Sequence, residues 1–358
     1  MNPTLDLSEI TQKIGRLFIG GMPGPELDAD TINIIKYYHL GGIILFSRNI
    51  IDPIQLAHLC KDLQRVSMEN SGYPLFLAID QEGGRVARLK EPFTQFPGNA
   101  AIGEDSDPEQ SALHFAGTTV REMSLVGLNM NLAPVMDVAQ VDMDSHLVGR
   151  SFSRDPLIVT KLGKIVINTL QQGGIMAVAK HFPGLGKSDL DPHLNLPTVH
   201  VTLEEMESIH LPPFAGAIEA NVSAIMSSHA VYPTLEPGRP ATLSRKIITD
   251  LLRKKMHFIG LIISDDLEMG AIAKERGLPE GAADAFEAGI DLLLICKNQS
   301  HLVDSIELIR DKVLKGEIPY ERLEKSLERI AKYKKRFLYP RKRISLKAVK
   351  EYFRNKQS

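Results

Sequence analysis

The chain of 358 residues has no tryptophan, and aromatic residues make up only 6% of it. Indole faces commonly support extended saccharide chains, so their absence weighs against a long polymeric ligand. Cysteine is nearly absent too. Cys60 and Cys296 each sit in an apolar run, which excludes a disulfide framework and predicts two buried free thiols in a reducing compartment. Neither sign of charge is in excess: 42 Lys and Arg face 44 Asp and Glu, a formal net charge of -2. Without a global basic field, nucleic acid is excluded as the expected partner. No apolar run is long enough to span a bilayer. The opening Met1-Asn2-Pro3-Thr4-Leu5-Asp6 carries neither the basic region nor the apolar core of a secretory signal. The expectation is a cytoplasmic protein with no membrane partner.

What the chain does have is a recurrent short apolar run. Strands are predicted at 17–22, 42–46, 75–80, 130–138, 177–182, 224–229, 261–265 and 291–296. Amphipathic stretches at 55–68, 109–126, 157–172 and 244–255 lie between them. Runs apolar on both faces, alternating with helices, indicate a parallel sheet covered on both sides. Eight such units close into a single (β/α)₈ barrel, here over residues 1–340. An open doubly wound sheet is the runner-up, but no Gly-rich dinucleotide fingerprint opens the first helix. Residues 341–358, including Arg341-Lys342-Arg343, read as a basic helical tail packed by Leu346, Val349 and Phe353.

The polar ends of the runs carry the chemistry. Runs end in or near Asp80, Asp137, Lys180-His181, Ser228-His229 and Ser264-Asp265-Asp266, and in a barrel these ends share the C-terminal face. The Gly/Pro-rich segment from Lys180 to His193 brings Asp191 within two residues of His193. An Asp partner fixes an imidazole tautomer and stabilises the imidazolium formed in proton transfer. Alternation along a strand puts Asp265 and Asp266 on opposite faces, so one of them points into the barrel mouth. Asp80, Arg88, Arg150, Lys180 and His181 are the groups expected around a small hydroxylated ligand, gripped by charge-assisted hydrogen bonds.

Lys180-His181-Phe182-Pro183-Gly184-Leu185-Gly186 through Asp191-Pro192-His193 resembles the catalytic loop of bacterial β-N-acetylglucosaminidases in glycoside hydrolase family 3. Asp80-Gln81-Glu82-Gly83-Gly84-Arg85-Val86-Ala87-Arg88, Gly149-Arg150-Ser151-Phe152, Ser228-His229 and Gly260-Leu261-Ile262-Ile263-Ser264-Asp265 are similar to further blocks of that family, in order. The resemblance implies a single-domain barrel that hydrolyses by retaining double displacement. It implies Asp265 as nucleophile, His193 as general acid/base and Asp191 as its dyad partner. Asp80, Arg88, Arg150, Lys180 and His181 would bind the N-acetylglucosamine ring. Such a reaction needs no metal and no cofactor. The expected substrates are small cell-wall fragments, N-acetylglucosamine linked to anhydro-N-acetylmuramic acid and its peptides, acted on by a monomer.

Four residues depart from the family pattern. Leu185 replaces a usual His, Lys187 a usual Asp or Asn, and Pro192 a usual Ser. Glu268 stands where a small residue is usual, and is expected to raise the pKa of Asp265 or to disfavour acidic ligands. Three other readings compete. One is a phosphorylase on the same scaffold, since a His donor does not repel incoming phosphate. The second is a metal-dependent hydrolase built on His181, His193 and His229, against which stand the missing metal-ligand spacings and the adjacent Lys180. The third is a binding protein that has lost its chemistry.

Overall fold

A computed structural model of the chain describes residues 6–139, 147–186, 197–269, 277–340 and 343–357. Its centre is a closed barrel of eight parallel strands in which each strand lies beside its neighbours in sequence. The strands are β1 (Phe18–Gly21), β2 (Gly42–Leu45), β3 (Phe76–Ile79), β4 (Met130–Asn131), β5 (Met176–Phe182), β6 (Ala224–Ser227), β7 (Leu261–Asp266) and β8 (Leu292–Ile295). Each falls within or next to a predicted apolar run, and every residue of β1 to β6 and β8 is buried. The expected strand over 130–138 is much shorter, because Pro134 has no N–H for the ladder. Beyond the strand the Ala133 and Pro134 carbonyls still accept from the Val178 and Lys180 N–H groups, and Val135 forms an isolated bridge with Lys180.

Helices alternate with the strands: α1 (Leu7–Gly15), α2 (Ala29–Tyr38), α3 (Pro53–Ser71), α4 (Pro108–Val126), α5 (Pro156–Gln172), α6 (Leu211–Glu219), α7 (Lys246–Lys255), α8 (Leu278–Ala288), α9 (Gln299–Leu314), α10 (Tyr320–Leu338) and α11 (Leu346–Gln357). Three of them start on an Asp-Pro pair. Asp52, Asp107 and Asp155 accept from N–H groups of the first turn, while Pro53, Pro108 and Pro156 lose only a donor that had no partner there. The stretch expected as an ordinary helix over 244–255 instead forms π-type hydrogen bonds from Lys246 to Lys255. No helix among the described residues is long and apolar enough to cross a membrane. Cys60 and Cys296 are free and buried.

The last helix is not merely solvated. α11 packs against α3 and α4 and buries Val349 and Phe353, with Phe353 edge-on to Phe93 at 4.7 Å. Glu122 of α4 accepts from Lys356 Nζ at 2.6 Å and from the Tyr352 hydroxyl at 3.1 Å. It also accepts from the Thr94 backbone N–H at 2.9 Å, in the segment that follows Arg88. The tail therefore fastens a loop of the C-terminal face.

Candidate active site

The exit of β3 is fixed from β4. Asn131 exchanges two hydrogen bonds with the Gln81 backbone, at 3.1 and 3.0 Å, which sets where Asp80 leaves the sheet. A short hairpin pairing Gln81–Gly83 with Val86–Ala87 then returns the chain. Its turn needs Gly84, at φ 58, where a Cβ would stand 3.0 Å from the Pro97 carbonyl oxygen. The Gln81 side chain accepts from the backbone N–H of Arg88, and the Arg88 guanidinium comes back to Asp80 Oδ2 at 3.3 Å.

Lys180, on β5, ties this hairpin to the next strands. Its Nζ lies 2.8 Å from Asp80 Oδ1 and 2.6 Å from Glu82 Oε1. Arg150 grips Glu82 with both Nε and a terminal nitrogen at 2.8 Å, the bidentate geometry that makes such pairs strong. Asn99 holds the backbone of that arginine by donating to the Arg150 carbonyl at 2.8 Å. Burial alone would raise the Glu82 pKa, but the Lys180 ammonium and Arg150 guanidinium outweigh it and bring it down to about 2. Asp80 is likewise buried, and Lys180 and Arg88 hold it below the usual carboxylate range. Four of the five predicted ligand-binding residues thus form one ionic network.

The fifth, His181, is fixed by Asp137. Its Nδ1 lies 2.7 Å from Asp137 Oδ2, and its backbone N–H donates to the same oxygen at 3.2 Å. Asp137 also accepts from the Leu185 N–H at 2.8 Å, so one carboxylate pins both ends of the turn after β5. An ionised partner requires the proton on Nδ1, and Nε2 faces the other way. Burial works against this carboxylate, and His181 with the backbone donors holds its pKa low. Leu185 is buried in the core. Gly186 is required by a close approach, since a Cβ there would meet the Val138 carbonyl oxygen at 1.9 Å. Asp191 and His193, with the departures Lys187 and Pro192, lie outside the described residues.

Simple alternation does not settle the Asp265-Asp266 pair, because β7 slips against β8. Ile263 is opposite Leu292 but Asp266 is opposite Leu294, so one extra residue is accommodated. The Ser264 hydroxyl takes up the Leu294 N–H at 3.0 Å. Asp266 turns to the backbone N–H groups of Glu268 and Cys296, at 3.1 and 3.3 Å. Asp265 instead lies in the field of His181, His229 and Lys180; these overcome the effect of burial and hold its pKa below the ordinary carboxylate value. His229 bridges β6 and β7, with Nδ1 2.8 Å from the Thr242 hydroxyl and Nε2 3.0 Å from the Asp266 carbonyl oxygen.

Glu268 does not act as its position in sequence suggests. Its carboxylate turns to the start of α9, where it accepts from the Lys297 and Asn298 N–H groups and lies 3.1 Å from His301 Nδ1. A carboxylate is favoured at a helix N-terminus. Its charge falls on Asp266 rather than Asp265: burial first, then the Glu268 and Asp265 carboxylates, raise Asp266 to about 6. The expectation of a raised Asp265 is therefore corrected. The sequence marks Asp137 only as a polar run end and gives Glu82, two residues past the run that ends at Asp80, no role of its own. Their partners lie 44 and 68 positions away, beyond the reach of local pattern. Among the described residues no group of three or more His, Cys, Asp or Glu is placed to hold a metal ion.

Residues 9–333 match the glycosyl hydrolase family 3 N terminal domain. The chain is 34% identical to "Beta-hexosaminidase A" of Pseudoalteromonas piscicida over 87% of its length, spanning 55% of that longer relative. It is 34% identical to a "Beta-hexosaminidase" of Pseudomonas aeruginosa over 77% of its own length and 81% of the other's. The structure superposes with a TM-score of 0.89 on a glycoside hydrolase family 3 beta-N-acetylglucosaminidase from Paenibacillus, at 35% identity, covering 97% of this chain and 68% of that one. A Beta-N-acetylhexosaminidase from Beutenbergia cavernae gives a TM-score of 0.85 at 27% identity, covering 91% and 98%. A closed (β/α)₈ barrel with a charged C-terminal face and a match of this extent place the chain in glycosyl hydrolase family 3.

Proposed function

We propose that the chain is a retaining exo-β-N-acetylglucosaminidase that releases N-acetylglucosamine from small peptidoglycan-derived fragments in the cytoplasm. The observation that carries this reading is an ionised Asp265 beside the Asp80–Lys180–Glu82–Arg150 network at one end of the barrel. A sugar ring held through its hydroxyls by Asp80, Arg88 and Arg150, with Lys180 and His181 beneath it, presents its anomeric carbon to that carboxylate. Asp265 attacks, and His193 gives a proton to the departing oxygen with Asp191 steadying the imidazole. The glycosyl-enzyme ester is then opened by a water that returns its proton to His193. The depressed pKa of Asp265 keeps the nucleophile ionised at neutral pH. The relatives named beta-hexosaminidase and the solved beta-N-acetylglucosaminidase support the sugar.

The test is hydrolysis of 4-nitrophenyl N-acetyl-β-D-glucosaminide beside the matching β-glucoside, with and without phosphate. Preference for the acetamido sugar, independent of phosphate, is expected; a requirement for phosphate moves the reading to a phosphorylase. Asp265→Ala should abolish turnover in folded protein, and substantial residual activity would transfer the nucleophile to Asp266. His193→Ala should cost about 10²–10⁴ in rate with a natural leaving group and much less with an activated aryl one.

A further inference from the structure

At the opposite, N-terminal end of the barrel lies a group of basic side chains that the proposed hydrolysis does not use. Arg16 precedes β1, His39 ends α2 just before β2, and Tyr73 precedes β3. The Arg16 guanidinium stands over the Tyr73 ring, 4.0 Å from its centroid. Lys334 comes down from α10 with its Nζ 5.2 Å from the centroid of Phe76, the first residue of β3. Lys334 is 4% exposed. A buried ammonium is ordinarily paired with a carboxylate, but the charge that acts on Lys334 is that of Arg16, of its own sign. The same holds for His39. Among the described residues, Arg16 Nε and His39 Nδ1 are buried with no hydrogen-bond partner.

We propose that Arg16, His39 and Lys334 form a binding site for a small oxyanion of the phosphate class on the barrel floor. Three donors on three separate elements suit a tetrahedral ion better than a planar carboxylate, which a single guanidinium satisfies by itself. An anion seated there supplies the missing acceptor for Arg16 Nε and turns like-charge repulsion into attraction. It also favours protonated Lys334, which burial and then Arg16 lower to about 7 in its absence. Binding above neutral pH is therefore accompanied by proton uptake at this lysine.

The experiment is calorimetric titration of the full chain with inorganic phosphate at pH 8, in buffers of different ionisation enthalpy. Saturable binding with net proton uptake is expected, abolished in Lys334→Met and weakened about tenfold or more in Arg16→Gln, the scale of one charge-assisted contact. Arg16→Gln, at a partly exposed position, keeps the test open if Lys334→Met does not fold. Hydrolysis of the aryl glucosaminide should be unchanged in both variants. Absence of saturable binding by the wild type overturns the proposal. So does binding that survives undiminished in both variants, because phosphate would then sit elsewhere, as among the cations of the C-terminal face.

Discussion

Replacing Glu82 by Gln keeps the shape and removes the charge on which Lys180 and Arg150 converge. The side chain is 1% exposed, with the Lys180 ammonium at 2.6 Å and the Arg150 guanidinium at 2.8 Å. Its pKa falls from 4.5 to about 2 in the folded protein. At about 1.4 kcal/mol per pH unit, that corresponds to roughly 3 kcal/mol of preference for the ionised form. Removing one partner of a buried ion pair costs about 3–5 kcal/mol by the same reasoning, because the remaining charges stay buried. Lys180, Arg150 and Arg88 would be left with Asp80 as the one carboxylate of this network. Urea unfolding at pH 7 should therefore show Glu82→Gln less stable by about 3 kcal/mol. A depressed folded-state pKa contributes stability that is present above pH 4.5 and lost as pH falls through about 2. The gap between wild type and variant should narrow across that window. With Arg150 released from its bidentate grip, KM should rise about tenfold or more while kcat changes less. A stability difference under about 1 kcal/mol together with an unchanged KM would refute the assignment of Glu82 as the organiser of this site.

Two further variants probe separate parts of the structure. Asp266, raised to about 6, binds its proton more tightly when folded, so stability falls as pH climbs from 3.8 through 6. Asp266→Asn should then gain about 1–3 kcal/mol at pH 8 and nothing at pH 4; equal gains at the two pH values in chemical denaturation would contradict this. Phe353→Ala should cost about 3–5 kcal/mol locally and loosen α11 from Phe93. It should also raise hydrogen exchange in the segment that follows Arg88, and unaltered exchange there would separate the tail from the site.

Much of the architecture was legible because it depends on local pattern. The apolar runs announced the strands, the amphipathic stretches between them announced helices, and the resemblance of the blocks from Asp80 to Asp265 announced the family. The irregularities were not legible. The shortened β4 follows from Pro134 meeting the ladder, and the slip of β7 against β8 decides how Asp265 and Asp266 are used. Glu268 looked like a neighbour of Asp265, yet the start of α9, some thirty positions on, captures its carboxylate.

By itself, then, the sequence determined the alternation of strand and helix, the barrel, and which residues arrive at its C-terminal face. Those follow from hydrophobic period, capping chemistry and strand direction, all of which act over a few residues. Tertiary structure alone decided the partners: Glu82 for Lys180 and Arg150, Asp137 for His181, and, among the described residues, no carboxylate for Lys334. A pKa or an ion pair depends on charges within a few ångströms in space, and closure of the barrel brings together partners such as Lys180 and Asp80, 100 residues apart along the chain.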